Sequence, residues 1–424
     1  MEEKNSEKKE RKMRDSGIPW IGEVPEGWEC SRIGGFYSPR IIKVSDVDYQ
    51  PLSVTMKGIV PQLETAAKTN DHNNRKLVKK GDFAINSRSD RRGSCGISKY
   101  DGSVSLINTV LSPNVEMCPQ FFDWLFHTTQ FSDEFYKWGH GIVDDLWTTG
   151  WQDMKKINIP VPPISEQHRI ADFLDSKCSE IDTLIENLRA RMESAKEYKK
   201  AAITEAVTQG LDKDAKMKDS GVEWIGKIPE GWKVVRFKHI ASIKSNLVQP
   251  DKYMKYPQIA PDNIEKDTGR LLSHQTVEES GIISGNHLFY RGQILYSKIR
   301  PNLNKLTIAP FDGLCSADMY PIEPKLPTLF MVYSMLSAYF VSQVSLIIQD
   351  RVKMPKINQE ELGEIKVVVP SQQEMLTIAD YLDSKCAEID VLLQNYENQI
   401  ATLEEYKKSL IYEYVTGKKE VPAA

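Results

Sequence analysis

KMRDSGIPWIGEVPEGW, at residues 12–28, returns almost unchanged as KMKDSGVEWIGKIPEGW at residues 216–232. We call these stretches the first and second frame motifs. A second matched pair reads VPPISEQHRIADFLDSKCSEID at residues 161–182 and VPSQQEMLTIADYLDSKCAEID at residues 369–390. Internal repeats decide architecture before any other signal in a sequence. The chain is therefore predicted to contain two copies of one structural plan.

The segments between the matched motifs differ from each other. Residues 30–158 and 233–365 show no alignment beyond a general mixture of helix and strand signals. A repeated frame with dissimilar inserts indicates a shared packing geometry that carries two different working surfaces.

The matched segments at residues 161–182 and 369–390 each begin a long helix. Apolar or small residues recur at alternating steps of four and three, a pattern typical of a helix that packs along another helix. A helix from about Ser165 to Val207 would be roughly 60 Å long, too long for the interior of a small domain. Ser371 with Glu374 forms a capping box, and Gly210 and Gly417 lie beyond the helix ends. We predict an antiparallel coiled coil; the alternative is that each helix packs on its own domain. The seam positions are Ala171, Leu174, Cys178, Ile181, Ile185, Leu188, Met192 and Ala195, then Ala379, Leu382, Cys386, Ile389, Leu393, Tyr396, Ile400 and Leu403.

Composition favours a two-domain cytoplasmic protein. The chain has 424 residues and a formal net charge of -4, so any nucleic-acid binding must use local basic patches. Its six cysteines are scattered without a CxxC pair, which fits a reducing compartment. Residues 329–348 lack charges but are interrupted by several serines, and we predict a buried amphipathic helix there rather than a membrane span.

The first insert contains a basic stretch within this slightly acidic chain. Residues 86–96 read NSRSDRRGSCG, in which Gly93 and Gly96 permit close backbone approach. Arginine binds two acceptors of guanine in the major groove, and serine or asparagine supplements it. The alternative is a solvated turn of charges. The candidate DNA contacts here are Asn86, Arg88, Ser89, Arg91 and Arg92.

The second insert contains a basic stretch with no acidic residue, RGQILYSKIRPNLNK at residues 291–305. Alternation through residues 294–300 predicts a strand that Pro301 ends, which would place basic and amide side chains at the strand end. The alternative is an exposed edge strand that its lysines protect from aggregation. The candidate DNA contacts here are Lys298, Arg300, Asn302, Asn304 and Lys305.

No catalytic or metal-binding constellation is recognisable. Residues 221–227 approach a phosphate-binding loop, but Ile228 stands where a magnesium-binding hydroxyl is required. The seven histidines show neither HExxH nor Cys/His metal spacing. The chain also lacks the Asn/Asp-Pro-Pro-aromatic tetrad of adenine methyltransferases. We predict no catalytic residues and no bound metal.

The two frame motifs, the VPPISEQHRIADFLDSK segment and the duplicated heptad helices resemble the DNA-specificity subunits of type I restriction-modification systems. This resemblance covers essentially the whole chain. It implies an α+β fold in which two target-recognition domains of mixed strands and helices are joined by two long helices, with a pseudo-two-fold internal repeat. The expected divisions are a charged tail at 1–12, a first recognition domain at 13–160, a long helix at 161–212, a second recognition domain at 213–368, a second long helix at 369–418 and a tail at 419–424.

The resemblance also implies that this chain binds DNA and has no catalytic activity of its own. Each head would read one half of a bipartite, asymmetric double-stranded DNA target, and the helices would set the unread spacer between the halves. Two methyltransferase subunits and the restriction or translocase subunits are the expected partners. S-adenosylmethionine, ATP and magnesium would then be bound by those partners and not by this chain. The rival interpretations are a coiled-coil scaffold with two protein-binding heads and, third, a nuclease.

Overall fold

The computed structural model describes residues 11–64, 72–141 and 147–422. Most of the charged tail predicted at residues 1–12 lies outside these residues, as does the end of the tail predicted at 419–424. Arg11, which the sequence assigned to the first tail, belongs to the folded frame instead. Its guanidinium pairs with Glu166 at 2.6 Å and lies over the ring of Trp28.

The chain forms two compact units. The first unit combines Met1–Leu188 with Asn398–Ala424, and the second unit is Arg189–Glu397. Both long helices cross the division, so each unit contains one part of each helix.

The first unit is built mainly from antiparallel sheets. Its strands are β1 (Met13–Asp15), β2 (Glu23–Pro25), β3 (Glu29–Arg32), β4 (Tyr37–Pro39), β5 (Lys43–Val44), β6 (Leu52–Thr55), β7 (Gly58–Pro61), β8 (Arg75–Val78), β9 (Phe83–Asn86), β10 (Cys95–Ile97), β11 (Gly102–Ser105), β12 (Asn108–Pro113) and β13 (Asn158–Val161). Its helices are α1 (Pro119–Phe126), α2 (Thr129–Lys137), α3 (Trp151–Met154) and the start of α4 (Ile164–Gln209). The larger sheets have the orders β10-β9-β12-β4 and β11-β8-β5.

The second unit repeats this arrangement. Its strands are β14 (Met217–Asp219), β15 (Lys227–Pro229), β16 (Lys233–Arg236), β17 (Ala241–Ile243), β18 (Leu247–Val248), β19 (Pro257–Ile259), β20 (Gln275–Thr276), β21 (Asn286–Phe289), β22 (Ile294–Ser297), β23 (Leu306–Ile308), β24 (Gly313–Cys315), β25 (Met319–Pro324) and β26 (Lys366–Val369). Its helices are α5 (Phe237–Ile240), α6 (Val277–Ser280), α7 (Thr328–Leu336), α8 (Ala338–Ile348), α9 (Gln359–Glu364) and the start of α10 (Gln372–Val415). The larger sheets have the orders β17-β25-β22-β23 and β18-β21-β24-β19-β20.

The two inserts share one strand plan, although their sequences showed no alignment. Strands β8, β9, β10 and β12 each have a counterpart of equal length 211 residues later, namely β21, β22, β23 and β25 (75 to 286, 83 to 294, 95 to 306 and 108 to 319). The pairing of β9 with β12 and that of β22 with β25 have the same antiparallel register, with Asn108 opposite Asn86 and Met319 opposite Ser297. The inserts are therefore two versions of one head, and only the frame had revealed the duplication.

Buried side chains explain why these elements pack as they do. In the first unit α1 and α2 bury an aromatic face against the central sheet, with the ring of Phe126 4.6 Å from both Phe83 and Phe131. In the second unit the equivalent helices α7 and α8 bury Phe330, Met331 and many aliphatic neighbours. A buried apolar face on a helix and one on a sheet together form the core of each head.

The charge-free stretch at residues 329–348 forms two helices and not the single helix predicted. The break lies at Ser337, whose backbone is extended (φ -67, ψ 153) and ends α7. Among the described residues no single helix is long and apolar enough to span a membrane, although α7 and α8, bent by 59°, together pass a test of length and composition.

The long helices pack antiparallel within each unit. In the first unit the start of α4 meets the end of α10, where the rings of Phe173 and Tyr414 lie 4.5 Å apart and Lys407 pairs with Asp182 at 2.6 Å. In the second unit the end of α4 meets the start of α10, where Lys199 pairs with Asp390, also at 2.6 Å. These two ion pairs join equivalent positions of the repeat. The antiparallel pairing that the heptads predicted is therefore present in both units.

The seam residues are buried or half-buried along both helices. Leu174 and its repeat counterpart Leu382 have no exposed surface. Replacing Leu382 by alanine should lower the free energy of unfolding by about 2–5 kcal/mol, because it removes buried methyl groups and leaves a cavity. Thermal unfolding of the full chain measures this loss. Leu376 lies exposed on the same helix, so Leu376→Ala should change stability by less than about 0.5 kcal/mol. Equal losses from both substitutions would contradict a packed seam.

The start of α10 is fixed by the predicted capping box. Glu374 accepts hydrogen bonds from the Ser371 hydroxyl at 2.6 Å and from the Ser371 backbone amide at 3.0 Å. The same carboxylate accepts a bond from the indole Nε1 of Trp232 at 2.9 Å, which ties the second frame motif to α10. In the first unit Trp28 donates to Glu166 at 2.9 Å in the same way. These two tryptophans therefore brace the starts of the two long helices.

Glu374 should make stability depend on pH in the acid range. Burial raises the pKa of this carboxyl, but the bonds from Ser371 and Trp232 outweigh it and hold the pKa below its usual value. A group with a lowered pKa stabilises the fold above its unfolded pKa, and this stabilisation is lost as the pH falls through the folded pKa. Glu374→Gln should therefore cost about 1 kcal/mol near neutral pH and flatten the stability profile below about pH 4. Denaturant titrations across pH measure both effects; a profile parallel to that of the unsubstituted chain would contradict this role.

Candidate nucleic-acid interface

The predicted contact residues of the two inserts lie on equivalent loops. The first hairpin loop, residues 87–94, joins β9 to β10, and the second hairpin loop, residues 298–305, joins β22 to β23. Both loops have eight residues and both contain a short 3-10 helix, at Ser89–Arg91 and Pro301–Leu303. The sequence indicated these stretches separately, from their charge and their loop residues. The structure places them at one position of a shared plan.

The first hairpin loop is held by backbone bonds to a neighbouring segment. The Ser89 amide donates to the carbonyl of Trp147 at 2.9 Å, and the Thr149 amide donates to the carbonyl of Ser87 at 2.9 Å. The side chain of Asn86, at the end of β9, accepts a bond from the Arg88 amide at 3.1 Å. Asn86 therefore shapes the start of the loop, and its side-chain oxygen is already engaged.

The arginines of the first hairpin loop are accompanied by carboxylates. Asp90 lies 3.1 Å from Arg88 and 3.9 Å from Arg91. Arg92 pairs with Asp133 at 3.1 Å and lies over the ring of Tyr136. All three pairs are substantially exposed, so each is worth well under about 1 kcal/mol and can be exchanged for a phosphate or a base edge. The loop thus presents exposed guanidinium groups that an anionic partner can reach.

The base of the same loop is fixed by a buried phenol. The hydroxyl of Tyr136 donates to the carbonyl of Asn86 at 3.0 Å and also lies 3.3 Å from the carbonyl of Arg91. Burial raises the pKa of this phenol, so the hydroxyl remains a donor. A loop held at both ends loses little freedom when a partner binds.

The second hairpin loop carries less paired charge. Arg300 is exposed and makes no ion pair with a described residue, and Asn302 is also exposed. The ammonium of Lys298 lies over the ring of Tyr320, 5.1 Å from its centroid. Burial, and then the charge of Lys298, lower the pKa of His287. Lys298 and Arg300 therefore bring two cations to this loop, neither of them paired with a carboxylate of a described residue.

Two residues predicted for the second contact set are largely withdrawn from solvent. Asn304 is only 1 % exposed, and its side chain donates to the carbonyl of Met335 at 3.2 Å. Lys305 is half-buried and donates to the carbonyl of Pro261 at 2.9 Å. The expected strand also ends earlier, at Ser297, because Arg300 adopts a left-handed backbone (φ 45). Arg300 and Asn302 are the exposed residues of this set, and Lys298 is half-buried.

The pattern that links the two loops was visible in the sequence but is weak. Gly81 and Gly292, both with positive φ, precede β9 and β22 at the common spacing of 211. Asp101 accepts a bond from the Lys80 amide, and Asp312 accepts the equivalent bond from the Arg291 amide. Such short matches, a Gly before each strand and an Asp-Gly after it, do not stand out without the strand register.

The rest of the site carries no sign of chemistry. In the described ranges no group of three or more His, Cys, Asp or Glu side chains could hold a metal ion. The six cysteines are unpaired thiols at scattered positions. A duplicated head with a basic hairpin loop on each copy is the arrangement of a binding protein built by internal duplication.

Comparison with known proteins gives the family. Residues 25–194 match the model described as the type I restriction modification DNA specificity domain. The chain is 31% identical over 342 residues to the type I restriction enzyme EcoDI specificity subunit of Escherichia coli, covering 77% of this chain and 76% of that protein. It is 26% identical over 432 residues to the MjaVIII specificity subunit of Methanocaldococcus jannaschii, covering 94% of each.

Solved structures share the fold. A chain from a structure that concerns complex assembly and conformational transition of the type I R-M system aligns with a TM-score of 0.72 at 14% identity, covering 93% of this chain and 99% of that one. The HsdS subunit from Thermoanaerobacter tengcongensis aligns with a TM-score of 0.52 at 15% identity, covering 93% and 98%.

The chain belongs to the family of type I restriction enzyme specificity subunits. The family predicted from the frame motifs and the heptad helices is thereby confirmed. The α+β fold class and the assignment to a specificity subunit, and not to a catalytic one, are confirmed with it.

Proposed function

We propose that this chain reads a bipartite, asymmetric double-stranded DNA sequence, with one hairpin loop at each half of the target. The observation that carries this proposal is the common position of the two loops. The equivalent eight-residue loops have unlike sequences, SRSDRRGS and KIRPNLNK, and both carry exposed cations. Arginine, lysine and asparagine at such a site bind phosphates and base edges. Unlike side chains on the two loops give unlike half-sites.

In this proposal the two heads are residues 13–160 and 213–368, and the long helices lie in 161–212 and 369–418. The chain works in the cytoplasm and delivers two methyltransferase subunits and the restriction or translocase subunits to the target. Those partners bring S-adenosylmethionine, ATP and magnesium. The specificity subunits of the relatives, and the R-M complex to which one structural neighbour belongs, support this assignment.

The direct test is binding of the purified chain, with its methyltransferase partners, to duplexes selected from a random library. The expected result is a salt-sensitive affinity for duplexes that share two unlike sequence elements at a fixed separation. Sequencing of modified adenines in cells that carry the system should return the same pair. A palindrome, one continuous element, or an affinity that does not depend on salt would contradict the proposal. The last outcome would favour a scaffold with two protein-binding heads.

A further inference from the structure

Strained backbone is concentrated at one place in the second head. Among the described residues, five that are not glycine have positive φ: Asp267 (62), Arg300 (45), Asn304 (44), Lys353 (57) and Met354 (56). Two lie on the second hairpin loop, and the Asp267 amide points to the carbonyl of Asn304. The other two lie on residues 351–356, which we call the tip segment. Left-handed backbone is costly away from glycine and persists where the surrounding structure imposes it, often at binding sites.

The tip segment adjoins the second hairpin loop. The Arg300 amide donates to the carbonyl of Pro355 at 2.8 Å, and Ile299 forms a β-bridge with Lys356. The Ile357 amide donates to the carbonyl of Lys298 at 3.0 Å. The tip segment and the loop therefore form one continuous surface of this head.

The base of the tip segment is closed by side chains. The Arg351 guanidinium donates to the carbonyl of Lys356 and to both carboxylate oxygens of Glu361. Lys356 in turn pairs with Asp318 at 2.7 Å. These bonds fix both ends, so the residues between them are presented in one conformation. A preorganised segment loses little conformational entropy on binding.

The residues at the tip have an unusual combination of properties. Val352 is 86% exposed and Met354 is 54% exposed. Between them lies Lys353, which is exposed and makes no ion pair with a described residue. Isolated exposed apolar side chains are common on protein surfaces. Val352 and Met354, however, flank a cation on a strained segment that is held at both ends and lies next to exposed Arg300. This combination points to a partner with a negatively charged surface and an apolar interior.

We propose that the tip segment enters the minor groove of DNA as a wedge, with Val352 and Met354 against a base step and Lys353 on a phosphate. This inference rests on the proposed function and adds a second contact element to the second head. Duplex DNA has both required properties, a charged backbone and stacked apolar bases. Apolar wedges that accompany basic side chains partly unstack a base step and bend the duplex.

The wedge predicts a kind of specificity that needs no hydrogen bond to a base. Pyrimidine–purine steps unstack more readily than other steps. The half-site read by the second head should therefore prefer such a step where the tip segment inserts. This preference should disappear when the apolar side chains are removed, while the bases read by the hairpin loop stay the same.

The test compares Val352→Ser/Met354→Ser with a matched control, Ile283→Ser/Leu272→Ser. The control residues are also exposed and lie on other loops of the same head, with Ile283 92% exposed. The wedge variant should bind the selected duplex about tenfold more weakly and bend it less, as measured by energy transfer between the duplex ends. Its salt dependence should not change, whereas Lys353→Gln should lower the salt slope by about one. The control should behave as the unsubstituted chain.

A second measurement does not depend on any variant. A duplex with 2-aminopurine at the preferred step should brighten when the unsubstituted chain binds, because the base loses its stacking neighbours. Specific binding without brightening would refute the wedge, and so would a wedge variant that bends the duplex as much as the unsubstituted chain does. Either result would leave the proposed function standing. If the wedge variant fails to assemble with the partner subunits but keeps its DNA affinity, the wedge is refuted and the tip segment contacts a protein instead. Absence of specific binding by the unsubstituted chain would instead refute the proposed function.

Discussion

Replacing Lys298 and Arg300 together by glutamine should weaken binding to the target duplex about a hundredfold. Each specific contact from a cation is worth about 1–3 kcal/mol, and about 1.4 kcal/mol is a factor of ten. Arg300 is exposed and Lys298 is half-buried on the second hairpin loop, and Arg300 has no carboxylate partner among the described residues. The salt slope should fall by up to about two, since up to two phosphate contacts are lost. Titrations of a labelled duplex at several salt concentrations measure both quantities.

A matched control removes the same number of positive charges at the ends of β22 and β25 that lie away from the hairpin loop. Arg291 precedes β22 and Lys325 follows β25, whereas the hairpin loop lies beyond the opposite ends of these two strands. Arg291→Gln/Lys325→Gln should therefore leave specific affinity nearly unchanged. Selection from a random library should also show that the Lys298 and Arg300 variant relaxes only one half of the target. Equal losses from both variants would mean that net charge, and not the loop, determines affinity.

Four residues added to α4 after Leu188 and four added to α10 after Glu397 should lengthen the unread spacer by about one or two base pairs. The division between the two compact units falls at these positions, and both helices cross it. Each insertion adds about 6 Å of helix, compared with a rise of about 3.4 Å per base pair. A four-residue insertion is absorbed in a coiled coil by local unwinding. Sequencing of modified adenines in cells with the lengthened chain measures the spacer.

The control for this prediction is an insertion of the same four residues after Ile283, on an exposed loop of the second head. It should leave both the spacer and the half-sites unchanged. A spacer that keeps its length in the chain with lengthened helices would refute the idea that the helices act as a ruler. Loss of all modification with retained folding would indicate that the partners require the original helix length.

The helices could be predicted from the sequence because their signal is repeated and periodic. Seam residues such as Leu174 and Leu382 recur at heptad spacing over many turns, and Ser371 with Glu374 marks a start by local hydrogen bonding. These are short-range rules that need no tertiary information. The common plan of the heads could not be found in this way. It depends on strand register between segments far apart in the chain, and the side chains that fill the two cores differ.

The candidate site shows the same limit at the level of single residues. Charge and loop composition selected the same hairpin in both heads, and Arg91 and Arg300 are exposed there. Composition did not reveal that Asn304 turns inward to the carbonyl of Met335, because that depends on the left-handed backbone at this residue. It also missed the tip segment, whose place beside the loop is set by Pro355 and Lys356, about fifty residues later in the chain.

The division of the helices has a consequence for the order of folding. The second unit is one uninterrupted run of the chain, whereas the first lacks Leu410, Tyr414 and Val415 from its core until the last residues are made. Ribosomes release the amino end first, so the head that is synthesised earlier is completed later. The apolar face at the start of α4 therefore stays exposed to solvent until the end of α10 has been synthesised. Contacts between segments so far apart in the chain also form slowly. A nascent chain that stops before residue 398 would therefore carry a finished second head and an unfinished first one, which marks it for removal by chaperones and proteases.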